Sequence, residues 1–132
     1  MITAVDSSVL LDVLCNDPNH AASSASTLRR AMMEGRLIVC ECVVAEVLPA
    51  LGDAEFGRFM TDWRMDFVPS SLESARLAGV RFRLYAKRRR EARRVLPDFL
   101  IGAHARLMAD RLLARDRGYF RDYFRGLDVM EP

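Results

Sequence analysis

Short apolar runs separated by helix-length stretches set the tightest limit on how this chain can fold. "ITAV" (Ile2–Val5), "LIVC" (Leu37–Cys40), "DFVP" (Asp66–Pro69), Leu112–Ala114 and "LDVM" (Leu127–Met130) each read as a strand. Helix chemistry fills the gaps. Ser7–Leu14 follows the first run at once, and "NDPNH" is a turn in which Asp17 and Asn19 are capping residues. A helix over about Ala21–Glu34 stops at Gly35, and Val43–Leu51 forms another, disturbed at Pro49. Further helices are expected over about Ala54–Trp63 and after Ser70 or Ser71, where Glu73 lies near the start. Leu77, Val80 and Leu84 then recur at helical spacing. Pro97 opens a helix from Asp98 to about Ala109, and "YFRDYF" forms a short one. Parallel strands need crossover helices, so this alternation predicts an α/β chain: a parallel sheet sandwiched by helices.

At 132 residues the chain reads as one domain, residues 1–132, without repeat or linker, and 51% hydrophobic composition gives it a core. No run approaches the roughly 20 apolar residues of a membrane span, and no signal peptide is evident. Cys15, Cys40 and Cys42 complete no zinc pattern. They read as buried reduced thiols, which points to the cytoplasm.

A net charge of +2 excludes a strong general polyanion binder, but the charge is unevenly spread. Nineteen of the 20 basic residues are arginine, and six basic residues crowd into Lys87–Arg94, "KRRREARR". Arginine holds phosphate bidentately, so Arg89, Arg90 and Arg93 are candidate contacts to a nucleic-acid backbone. Arg117, Arg121 and Arg125 form a second basic stripe, with Arg117 and Arg121 the candidate contacts. A solvated surface is the plain alternative for both.

Four acids sit in or beside stretches that otherwise look buried: Asp6 in "ITAVDSSVLLDVL", Glu46 in "VVAEVLPAL", Asp98 in "VLPDFLIGAHA" and Asp116 in "RLLARDRGYF". Ligands of open parallel sheets sit outside the carboxyl ends of the strands. Asp6 and Asp116 lie just past strands, Asp98 in a first helical turn, and Glu46 on the helix after the second strand, so all four are expected to converge at one sheet edge. Packed carboxylates repel one another unless protonated or bridged by a cation. Oxygen ligands without His or Cys suit Mg²⁺ or Mn²⁺ better than zinc. The chemistry that uses such a water-rich acidic site is phosphodiester hydrolysis.

The blocks "VDSSVLLDVL", "AEVL", "VLPDFLIGAHA" and "LLARDRGYFRDYF" with the following "GL", "V" and "P" resemble PIN-domain ribonucleases of the bacterial VapC toxin type. The resemblance covers nearly the whole chain in the right order. It implies a PIN-like three-layer α/β/α sandwich with a central, mostly parallel sheet of four or five strands. It further implies Mg²⁺- or Mn²⁺-dependent endoribonuclease action, a toxin–antitoxin role with a cognate antitoxin as partner, and a homodimer. Carried over, Asp6, Glu46, Asp98 and Asp116 are the catalytic and metal-holding acids, and Ser8 matches a hydroxyl residue that orients the site. One position departs: Ala114 stands where the family usually has Ser or Thr.

Each acid alone has a plainer role. Asp6 and Asp98 suit helix starts, Glu46 could face solvent, Asp116 before Arg117-Gly118 could be turn chemistry, and Asp12 and Asp17 read as surface or turn residues. His104, among small residues, reads as structural, and Phe120, Tyr123 and Phe124 as core. A dehalogenase-like phosphatase would need an acid where Ser8 stands. A receiver domain would need a late lysine, and Lys87 is the sole lysine. The surviving alternative is a catalytically inactive PIN-like module that binds RNA or protein.

Overall fold

The computed structural model describes residues 1–87, 95–116 and 118–132. Five parallel strands form one sheet: β1 (Ile2–Val5), β2 (Arg36–Val39), β3 (Met65–Phe67), β4 (Arg111–Leu113) and β5 (Val129–Met130), in the order β3-β2-β1-β4-β5. Seven helices are found among the described residues: α1 (Ser7–Leu14), α2 (Ala21–Glu34), α3 (Glu41–Leu51), α4 (Asp53–Asp62), α5 (Leu72–Ala86), α6 (Leu96–Met108) and α7 (Tyr119–Tyr123). The result is the expected three-layer α/β/α sandwich, with five strands in its sheet.

The central strands are buried on both faces and therefore read as continuous apolar runs. Ala4, Val5, Leu37, Ile38, Val39, Leu112 and Leu113 are each at most 2% exposed. Polar Thr3 and Arg111 are admitted among them because they satisfy one another: Arg111 Nε donates to Thr3 Oγ1 at 2.9 Å, and Nη2 to Glu34 at 2.6 Å. β1 occupies the middle of the sheet. From it the chain builds outward through β2 and β3 on one side, then crosses back to β4 and β5 on the other. The reversal leaves a crevice at the carboxyl ends of β1 and β4.

Several local expectations need correction. Helix α3 runs unbroken through Pro49, which sits in its last turn. Helix α5 is capped by Ser71, whose hydroxyl accepts from Ser74 N–H, while Ser74 Oγ, not Glu73, accepts from Ser71 N–H. Its buried face carries Ser74, Ala78 and Tyr85, whereas Val80 and Leu84 of the anticipated apolar stripe are 60% and 45% exposed. Small residues at 74 and 78 let α5 lie close to α6. Cys15 is exposed rather than buried. Gly102 makes room for a ring: a Cβ there would come within 2.6 Å of Phe124. Phe99, Phe124, Tyr85 and Tyr123 form an aromatic cluster beside the main aliphatic core.

Candidate active site

The crevice expected from the strand order is a cleft of about 420 Å³, and Asp6, Glu46 and Asp98 stand on its wall with Ser7, Ser8 and Arg115. Each acid arrives from a different element. Asp6 is the residue after β1 and the N-cap of α1; its backbone N–H continues the sheet by donating to Leu113 O at 2.9 Å. Asp98 lies in the first turn of α6, where Pro97 removes an N–H that no helix partner needs. The positive end of α6 favours a carboxylate there. Glu46 projects from the middle of α3.

The two serines after Asp6 divide the work of holding the acids. Ser8 donates both its backbone N–H and its hydroxyl to Asp6 Oδ2. Ser7 donates its hydroxyl to Glu46 Oε1 at 3.2 Å. Ser8 was legible in the sequence and Ser7 was not, although the doublet "SS" was its signal: adjacent residues at a helix start point in different directions and can reach two partners. Glu46 is open to solvent on its outer side. Lost hydration on the other side raises its carboxyl above the ordinary range, the charge of Asp6 raises it further, and the Ser7 hydroxyl opposes them. Mutual repulsion of this kind is what a cation relieves. The donor set of three carboxylates and hydroxyls, without His or Cys, fits a hard oxygen-seeking ion such as Mg²⁺ or Mn²⁺.

Asp116 behaves differently from the other three. Its Oδ1 accepts from the N–H groups of Gly118 at 2.8 Å and Phe120 at 3.2 Å, and Oδ2 accepts from Arg121 N–H at 3.2 Å. Its side chain is 1% exposed and lies outside the cleft lining. Asp6, Glu46 and Asp98 thus stand on the cleft wall, and Asp116 is held by the amides that lead into α7. Gly118, at φ +99°, permits the backbone to fold round that carboxylate. Ala114, at the position of the missing hydroxyl, is fully buried.

The sequence also missed a buried ion pair beside the cleft. Asp12, expected at the surface, is 3% exposed; it accepts from Ser24 Oγ at 2.7 Å and from Arg115 Nη2 at 2.7 Å. Its only signal was its place three residues from Val9 on the inner face of α1. Asp12, Asp17 and His20 bring ligand atoms within 4.8 Å of one another. Asp12 is engaged by Arg115 and Ser24, and Asp17 accepts from Asn19 and His20 N–H at the entry to α2, so these groups shape the α1–α2 turn.

His104 is structural as expected: buried, it donates from Nε2 to Val68 O at 2.7 Å, and desolvation lowers its pKa. Arg121 pairs with Glu131 at 3.2 Å and lies 3.6 Å from Asp116, while Arg125 lines a separate depression with Arg81 and Arg106. Arg121 and Arg125 thus have different surroundings. Arg89, Arg90, Arg93 and Arg117 lie outside the described residues. No helix among the described residues is long and apolar enough to cross a membrane.

A parallel sheet with an acid-lined crevice at its switch point defines a class of α/β proteins that act on ligands at the strand ends. The PIN-domain family model matches residues 3–124, so the chain belongs to the PIN-domain family. Among solved structures, the crystal structure of VapBC2 from Rickettsia felis bound to a DNA fragment from its promoter is similar. The TM-score is 0.74 at 15% identity, covering 100% of this chain and 99% of that one. No curated protein matches the sequence.

Proposed function

We propose that this chain is a Mg²⁺- or Mn²⁺-dependent endoribonuclease and the toxin of a toxin–antitoxin pair. The observation that carries the reading is the grouping of Asp6, Glu46 and Asp98 in one cleft of a PIN-family fold. These three acids would hold the cation, which supplies charge neutralisation of the phosphodiester and orders water beside it. Ser8 and Ser7 fix the directions of Asp6 and Glu46. The amide bonds around Asp116 favour a supporting part for it, holding α7 so that Tyr119 and Phe120 form the cleft wall. RNA is the substrate, and Arg89, Arg90, Arg93, Arg117 and Arg121 are proposed to attract its backbone rather than to take part in the chemistry. The likeness to a VapBC2 chain supports a cognate antitoxin as partner; the homodimer is proposed from the family resemblance, and the cytoplasmic location from cysteines that complete no zinc pattern.

A second reading, a PIN-like module that binds without cutting, draws on the hydroxyl missing at Ala114 and the engaged carboxylate of Asp116. Cleavage separates the two. Purified protein given Mn²⁺ should cut RNA, lose the activity in EDTA, and lose it in Asp98→Asn. Expression without an antitoxin should arrest growth, and Asp98→Asn should relieve the arrest. Parental cleavage by the mutant would remove the assigned site, and unimpaired growth at high expression of the parent would favour the binding module.

A further inference from the structure

Arg115 is the cationic side chain on the wall of a cleft otherwise marked by carboxylates, among the described residues. An arginine left loose there would fold onto the nearest acids and neutralise them. Instead its Nη2 is bonded at 2.7 Å to Asp12, whose other oxygen is held by Ser24 Oγ. Asp12 is 3% exposed and anchored in α1, so it offers the guanidinium one fixed position. The Arg115 backbone is tied as well, its N–H donating to Ser8 Oγ at 3.4 Å. Nε is enclosed without a hydrogen-bond partner among the described residues, yet 35% of the side chain remains exposed. Arg115 thus lines the cleft with part of its side chain exposed and its guanidinium held in place by Asp12.

We infer that Arg115, latched by Asp12, holds a phosphate of the RNA beside the acid cluster; this rests on the nuclease reading above. A phosphodiester is an anion that three carboxylates repel until a cation is present. A guanidinium pinned on the same wall gives it a second point of attachment, with planar donors that match two phosphate oxygens. Asp12 is then a positioning residue: it directs Arg115 toward substrate and away from Asp6 and Glu46.

The experiment uses the full chain carrying Asp98→Asn, so that RNA is bound and not cut. The probes are bulk transfer RNA and a mixed-sequence single-stranded oligoribonucleotide, read by anisotropy over a salt series. Arg115→Gln should weaken binding roughly ten- to thirtyfold. It should also reduce the salt slope by roughly one contact's worth. Arg115→Lys should fall between, because the charge remains without the planar fork. Asp12→Asn should weaken binding in the same direction, and the double variant should be no worse than Arg115→Gln alone, since both act through one group. Calorimetric Mn²⁺ affinity, measured with Asp98 intact, should be the same for Arg115→Gln as for the parent. A strut that merely joins α1 to β4 would lower the melting temperature and leave RNA affinity and salt slope as they were, which would overturn the inference. If Arg115→Gln fails to fold, Arg115→Lys at full affinity overturns it equally. A parent that neither binds nor cuts RNA removes the nuclease reading and this one together; a parent that does both, with Arg115→Gln unimpaired, removes this one alone.

Discussion

β1 and β4 lie side by side, and the segment leaving each carries an aspartate, but the two carboxylates sit in opposite settings. Asp6 comes immediately after β1, takes two bonds from one neighbour, Ser8, and stays on the cleft wall. Asp116 comes three residues after β4 ends and is bound by three amides of the turn into α7. The difference lies in the backbone that leaves each acid. Past Asp6 a regular helix starts at once, and the Asp6 carboxylate caps it by accepting from Ser8 N–H. Past Asp116, Gly118 takes a left-handed conformation that L side chains resist, so several N–H groups curl round the carboxylate. The segment after Asp6 brings one backbone amide to its carboxylate, whereas the turn after Asp116 brings three.

Changes on the Asp6 side should be the most damaging to activity and the least to folding. Asp6→Asn and Asp98→Asn keep shape and, for Asp6, a good capping side chain. Each should lower the cleavage rate by about a thousandfold, which corresponds to ~4 kcal/mol of transition-state stabilisation. Melting temperatures should stay at the parental value or rise, because a repelling charge has gone.

On the Asp116 side the pattern should invert. Asp116→Ala strips a buried turn of its acceptor and should cost about 1–2 kcal/mol of stability, by analogy with the loss of a helix cap. Gly118→Ala should cost about 1 kcal/mol by straining the same turn. In denaturant titrations both variants should unfold earlier, while cleavage at low temperature falls only severalfold. A thousandfold loss of cleavage in a stably folded Asp116→Asn protein would erase the contrast.

The smallest expected effect is on pH dependence. Since the Glu46 carboxyl is raised in the folded protein above its ordinary value of 4.5, its contribution to metal-free stability is full below 4.5 and lost as pH climbs through the raised value. Glu46→Gln should flatten that decline in thermal melts. Added Mn²⁺ should reverse it, because cation binding requires the charged form. An unchanged decline in Glu46→Gln would show that another group causes it.

Most of the sheet and helix order was legible because a parallel sheet imposes it: buried strands must be apolar, and crossovers must be helix-length. Pairs of neighbours were not. Leu77, Val80 and Leu84 share a face by spacing, yet the face that α6 meets is the one with Ser74 and Ala78, and spacing does not say where a neighbour lies. Asp12 looked like a surface acid until Arg115, 103 residues away, supplied its counter-charge. Asp6, Glu46 and Asp98 were legible as candidate cleft residues because carboxylates in apolar surroundings are costly. Whether Asp116 faced the cleft or its own turn depended on the geometry of Gly118.

Mn²⁺ binding compared across Asp6→Asn and Asp116→Asn by calorimetry tests the contrast most directly. Asp6→Asn should lose measurable binding while keeping its melting temperature, and Asp116→Asn should bind Mn²⁺ with an affinity close to the parent's while melting earlier. Loss of Mn²⁺ binding in Asp116→Asn at an unchanged melting temperature, with Asp6→Asn still binding, would contradict the division of roles between the two aspartates.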